Sequence, residues 1–272
     1  MSHRPSATPA LLAGLLMLAA CATAAPLALA LALPEAPVLL LGEQHDADEH
    51  AVLARASVEH LAAAGRLAVL VLEMAESGHD THGLPDSASE TEVRQRLAWH
   101  EPGWPWARYG PVVMAAVQAG VPVVGGNLPR ARMRDALQDH SLDDRLDADG
   151  LARQRQAVDD GHCRLLPAAQ LPGMTRIQIA RDLSLAQTAT RELRAGQTVL
   201  LLAGAGHVRR DIGVPRHWPA ALADQAHVVW LRAGPTGPAD VAGVADAVWP
   251  TPPVPEKDHC AELRQHLAPG RR

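Results

Sequence analysis

The feature that most constrains this chain is the run Val38-Leu39-Leu40-Leu41, followed at once by Gly42-Glu43-Gln44-His45-Asp46. Consecutive aliphatic residues stopped by a glycine read as a short strand buried on both faces, the pattern of a parallel sheet. In open α/β sheets ligands lie outside the carboxyl ends of the strands, so Glu43 and His45 stand where a site is expected. The apolar run ends where polar chemistry begins.

The rest of the chain repeats the alternation. Asp46 can cap a helix running to about Ala64, which Gly65 stops. Leu67–Leu72 predicts a second strand with Glu73 at its end, and Val121–Val124 a third that delivers Asn127 and Arg130. Thr198–Leu202 and His227–Leu231 predict two more. Between them lie a loop over Ser77–Ser89, a short helix over Glu90–His100, a helix whose first turn holds Pro111, and helical stretches near Arg130–Gln138 and Ala148–Asp160. A long helix over about Gly173–Ala195 carries Ile179, Leu183, Ala186, Thr190 and Leu193 on the face expected to meet the sheet. Pro250–Pro255 reads as a connector and Asp258–Leu267 as a last helix. Strands alternating with helices predict an α/β fold, a mainly parallel sheet flanked by helices in a single domain. With 272 residues and 47% hydrophobic content the chain can bury a sizeable core, and with no Phe that core is built from aliphatics and six Trp.

The N-terminus predicts export. His3 and Arg4 precede an apolar stretch, Ala10–Ala20, that is too short to span a bilayer and suits a secretory signal over residues 1–20. It ends in Leu18-Ala19-Ala20-Cys21, which resembles a bacterial lipobox. Lipidation of Cys21 would anchor the chain to the membrane facing the periplasm, at the outer membrane, through a tether over residues 21–37. An ordinary signal cut within Ala22–Ala25 is the other reading. Cys163 and Cys260 then remain in an oxidising compartment, either as a disulfide or as two separate buried thiols. The formal net charge of −5 argues against a nucleic-acid partner.

Two predicted strands end in Gly-x-x-His, Gly42 to His45 and Gly204 to His207. With 21 Gly and 14 His, chance supplies about one such spacing, so the placement directly after buried runs carries the weight. Glu73 and Asn127 end two further strands. His45 and His207 could hold a divalent metal with an open position. Alternatively His45 acts as a base oriented by Glu43 or Glu73, with His207 as a second acid or base. As a third option, these groups anchor a cofactor; as a fourth, they cap helices or pair with arginines. Arg209 and Arg210 beside His207 suit bidentate carboxylate recognition, haem propionates included, or else fix the loop through Asp211. Tyr109, the single phenol, belongs to an aromatic cluster with Trp104 and Trp106. It is either an axial ligand to ferric haem or a wall residue bonded through its hydroxyl. His162 is a ligand or a loop residue.

Leu-Leu-Leu-Gly-Glu-Gln-His-Asp at 39 to 46, Val-Leu-Glu-Met at 71 to 74, Gly-Asn-Leu-Pro-Arg at 126 to 130, Gly-His-Cys at 161 to 163, Leu-Pro-Gly-Met at 171 to 174 and Gly-His-Val-Arg-Arg-Asp-Ile-Gly-Val-Pro at 206 to 215 together resemble the ChaN-like haem-binding lipoproteins. The broader group with paired Gly-x-x-His includes the Tiki and TraB proteins and is more distantly similar to erythromycin esterases. The resemblance implies a periplasm-facing lipoprotein of iron acquisition that binds haem at a homodimer interface through residues 38–272, with Tyr109 as the phenolate ligand and His207, Arg209 and Arg210 near the propionates. The hydrolase relatives imply a second reading, a metal-dependent or His/Glu-based hydrolase using Glu43, His45, Glu73 and His207.

Overall fold

The structure, a computed structural model, describes residues 28–30, 32–235 and 241–267. The predicted signal segment and Cys21 lie outside the described residues. The sheet is built from β1 (Val38–Glu43), β2 (Leu67–Glu76), β3 (Val123–Asn127), β4 (Thr198–Gly204), β5 (His227–Ala233) and β6 (Ala247–Thr251). Its order is β3-β2-β4-β1-β5-β6 and neighbouring strands run parallel. This is the α/β arrangement that the alternation predicts.

Strand periodicity divides the core into two layers. Leu39, Leu41, Leu70, Leu72, Leu200 and Leu202 face one side with helices α1 (Asp48–Ala63) and α3 (Trp106–Gln118). Val38, Leu40, Val69, Val71, Val199 and Leu201 face the other with the helix α6 (Leu171–Arg191). Short helices α2 (Glu90–Arg96), α4 (Met133–Gln138), α5 (Ala148–Gly161), α7 (Ala205–Val208) and α8 (Ala220–Gln225) complete the flanks, and α9 (His259–Leu267) ends the described chain. No described helix is long and apolar enough to cross a membrane.

Several expectations are corrected. Leu29 and Leu33, expected in the tether, are buried in the same core layer as α1, so the folded body begins before Val38. The helix expected to start near Pro111 starts at Trp106, with Pro105 at its N-cap and Pro111 inside it. Gly110 leaves room for the Trp106 side chain one turn back, since a Cβ there would lie 2.5 Å from its indole. On α6, Ile179 and Ala186 are buried as expected, whereas Thr190 is exposed and Asp182 is buried instead. β6 is an additional parallel edge strand that contains Pro250, a residue such an edge tolerates.

Candidate functional site

The carboxyl edge of β2, β4 and β1 brings Glu73, Gly204 and Glu43 side by side. The two Gly-x-x-His copies interlock there. A Cβ on Gly204 would lie 2.8 Å from the His45 imidazole, and one on Gly42 would strike Val208 and lie 2.7 Å from Trp230. Each glycine is therefore required by the close approach of the other copy's chain or its neighbours.

Glu73 is the centre of charge. One carboxylate oxygen accepts from Arg181 at 2.6 Å and lies 3.3 Å from His207 Nε2; the other accepts from the Gly204 amide at 2.7 Å. His207 Nδ1 donates to Asp182 at 2.5 Å, so the ring sits between two buried carboxylates. Burial opposes a charge on His207, but Glu73 and Asp182 outweigh it and lift its pKa to about 9. Burial likewise opposes charge on Glu73, yet His207 and Arg181 hold its carboxyl far below the usual range. Asp182 is held above its ordinary value chiefly by burial. Asn127 continues the network, donating to the Glu73 carbonyl at 2.9 Å and accepting from Arg181 at 3.0 Å.

The first copy is built differently. His45 Nδ1 donates to Glu43 at 2.8 Å, and Tyr109 donates its hydroxyl to the same oxygen at 2.7 Å. The second Glu43 oxygen and one oxygen of Asp182 are buried without a hydrogen-bond partner. The His45 side chain is 43% exposed, and Trp104 packs edge-on against its ring with centroids 4.9 Å apart. Burial works against charge on His45, but the bond to Glu43 and the nearby Glu73 raise its pKa overall. Arg108 bonds the His45 carbonyl and pairs with Asp48 at 2.7 Å. Buried His50 fixes the loop from behind, accepting from the Gln44 amide at 2.9 Å and meeting Thr251 of β6 at 3.0 Å. Chemically this is an imidazole oriented through Nδ1, with Nε2 turned towards Glu73 at 3.9 Å.

Glu43, His45, Glu73, Asn127 and His207 are thus brought together. Four of the candidates have partners of their own. Both ring nitrogens of His207 face carboxylates, Nδ1 that of Asp182 and Nε2 that of Glu73. Among the described residues no group of three or more His, Cys, Asp or Glu side chains is arranged to hold a metal. Arg209 is spent on Asp211 through two bonds of 2.9 and 2.8 Å. Arg210 is spent on Asp246 and on the Ala223 and Ala226 carbonyls, so neither guanidinium is presented to a propionate. Tyr109 is 1% exposed and its hydroxyl is committed to Glu43, the arrangement of a wall residue bonded through its hydroxyl. Cys163 and Cys260 form a disulfide with Cα atoms 5.6 Å apart, and His162 bonds the Val158 carbonyl in the adjacent turn.

Asp182 and Arg181 carry much of this site and were not singled out in the sequence. The signal was available: Gln178 and Asp182 are polar residues one turn apart on a helix face expected to meet the sheet. His100 was also passed over. It lines a shallow cavity of about 200 Å³ at the ends of β2 and β3, together with Glu73, Trp104, Arg130, Met133 and Arg181.

A family model described as haem-binding uptake, Tiki superfamily, ChaN matches residues 29–218. No curated protein is significantly similar to the chain. Among solved structures, ChaN of Campylobacter jejuni, described for its cofacial heme binding, superposes with a TM-score of 0.64 at 22% identity, covering 81% of this chain and 89% of that one. The type III effector HopBA1 gives a TM-score of 0.45 at 16% identity, covering 79% of this chain and 86% of that one.

Proposed function

This chain belongs to the ChaN family of haem-binding uptake proteins in the Tiki superfamily, and from that premise we propose that it binds haem in the course of iron uptake. The single observation that carries the reading is the family match, which runs unbroken from the core residue Leu29 through both Gly-x-x-His copies to Trp218. The carboxyl edge of the sheet is the expected place for the ligand. Bound haem would supply an iron open to ligation by a side chain of the protein.

The residues present fit such a group at the cavity beside Glu73. It is lined by the Trp104 indole, the His100 imidazole, the Met133 thioether and the exposed guanidinium of Arg130. At about 200 Å³ it is smaller than the roughly 300–1,000 Å³ of an enclosing ligand pocket. A macrocycle would lie against it with one face outward, as suits a second protomer. We further infer an exported lipoprotein, anchored through Cys21 and facing the periplasm. The apolar segment 10–20 and the Leu-Ala-Ala-Cys ending support this.

Titration of ferric haem into the full chain in detergent, followed by visible absorption, tests the binding. A saturable Soret change is expected, and absence of saturation would overturn the reading. Radiolabelled fatty acid carried by the wild type and lost in Cys21→Ala tests the anchor, and equal labelling would remove it. Sedimentation with and without haem reads the oligomer. A species that remains monomeric when loaded would exclude the homodimer.

A further inference from the structure

The ligand expected for the iron is poorly placed. Tyr109 lies under Trp104 and Trp99, with ring centroids 5.9 and 6.3 Å away. Its hydroxyl donates to Glu43, and burial together with that carboxylate pushes its pKa upward, against the phenolate. Reaching a ligand outside the core would mean breaking this bond and uncovering Glu43, whose other oxygen already lacks a partner.

The loop between α2 and α3 offers something better. Helix α2 ends through Ala98, a non-glycine residue at φ 46°, with the Trp99 amide closing back onto the Arg94 carbonyl. Such left-handed conformations are strained for a residue with a Cβ and persist where the surroundings or function demand them. The reversal carries His100 to the rim of the cavity. His100 Cδ2 lies 2.9 Å from the point a Cβ on Gly103 would occupy, and Arg130 Nη2 lies 3.7 Å from the same point. Imidazole and guanidinium therefore share one cradle that exists because residue 103 is glycine. The His100 ring makes no hydrogen bond among the described residues, although its backbone carbonyl accepts from both Gly103 and Trp104. Arg130 is equally uncommitted: its side chain is 59% exposed and its ion pair with Glu76 is 3.9 Å long.

We propose that His100 is the iron ligand in this protein and that Arg130 receives a haem propionate, with the ring lying along Trp104 at the ends of β2 and β3. The inference rests on the haem-binding reading. It assigns a nitrogen ligand where the family resemblance implies a phenolate. An unprotonated imidazole nitrogen ligates haem iron, a guanidinium matches a carboxylate bidentately, and an indole face packs on a porphyrin.

The test is ferric haem binding to the full chain, read by absorption and electron paramagnetic resonance. The expected result is a spectrum of imidazole ligation in the wild type that persists in Tyr109→Phe. His100→Ala should weaken binding about tenfold or more and lose that spectrum, and free imidazole should restore it, which a merely structural role would not allow. Arg130→Gln should weaken binding roughly tenfold with the spectrum unchanged. A phenolate charge-transfer band that disappears in Tyr109→Phe would overturn the assignment, as would a His100→Ala variant of wild-type affinity and spectrum, and in both cases haem binding itself would stand. Failure of the wild type to bind would instead remove the haem reading and this assignment with it.

Discussion

In the first Gly-x-x-His copy the histidine side chain stands 43% exposed, held by one carboxylate through one nitrogen; in the second it is 6% exposed and held by two carboxylates through both. The two strands are adjacent, run in register from Val38 opposite Val199 to Glu43 opposite Gly204, and place their glycines for related steric reasons. What separates the copies is the helix that covers each one. Above His207 lies α6, which carries Asp182 and Arg181 into the layer. Above His45 lies α3 with the loop before it, which brings Tyr109 and Trp104 and leaves the ring partly open. One motif thus yields a buried histidine clamped between two carboxylates and a presented imidazole.

Substitution should separate the two most sharply. His207→Ala leaves Glu73 and Asp182 buried without their shared cation, and removal of one partner of a buried pair costs about 3–5 kcal/mol. Urea unfolding would measure this, and a loss no greater than that of His45→Ala would break the comparison. The next effect is one of pH. The pKa of His207 is raised from an ordinary 6.5 to about 9, so its contribution is complete below pH 6.5 and is lost as pH rises through 9. That contribution is on the order of 3 kcal/mol. Glu73, lowered from an ordinary 4.5, contributes above that pH and loses its contribution as acid is added; Asp182, raised by burial, works in the opposite sense and softens the acid limb. Stability measured between pH 6 and 10 should fall in the wild type and stay flatter in His207→Gln. Tyr109→Phe removes one of the two donors to Glu43 and should cost roughly 1–3 kcal/mol, read as a lower thermal midpoint. Smallest is His45→Ala. It removes the other donor to Glu43, but the ring is 43% exposed and water can take its place, so the loss should be about 1 kcal/mol or less in the same urea measurement.

How much of this was legible follows from where the information resides. The runs Val38–Leu41 and Thr198–Leu202 announce themselves because a strand buried on both faces needs unbroken aliphatics, and the glycines after them mark a close approach. The meeting of Glu43, His45, Glu73 and His207 followed from their shared position at strand ends. What was hidden depends on contacts distant in sequence. Asp182 is 25 residues from its partner His207, and next to Arg181 it reads as half of a solvated pair. Arg210 looked available because its acceptor Asp246 lies 36 residues further on, beyond β5. β6 was obscured by Pro250, which marks a connector and an edge strand equally well. Tyr109 was read for its chemistry, and its neighbour on the next layer, 66 residues away, decides its state.

The bond between Cys163 and Cys260 closes a ring of chain in which α6, β4, β5 and β6 all lie, while β1, β2 and β3 stay outside it. The sheet is therefore woven from threads inside the ring and threads outside it, since β4 runs between β2 and β1. A single protease cut anywhere between the two cysteines leaves one covalent molecule whose halves remain clasped through both the sulfurs and the sheet. Such a cut would go unseen on a gel until a reductant was added, and a protein built in this way could be nicked there without losing the strand that leads into His207.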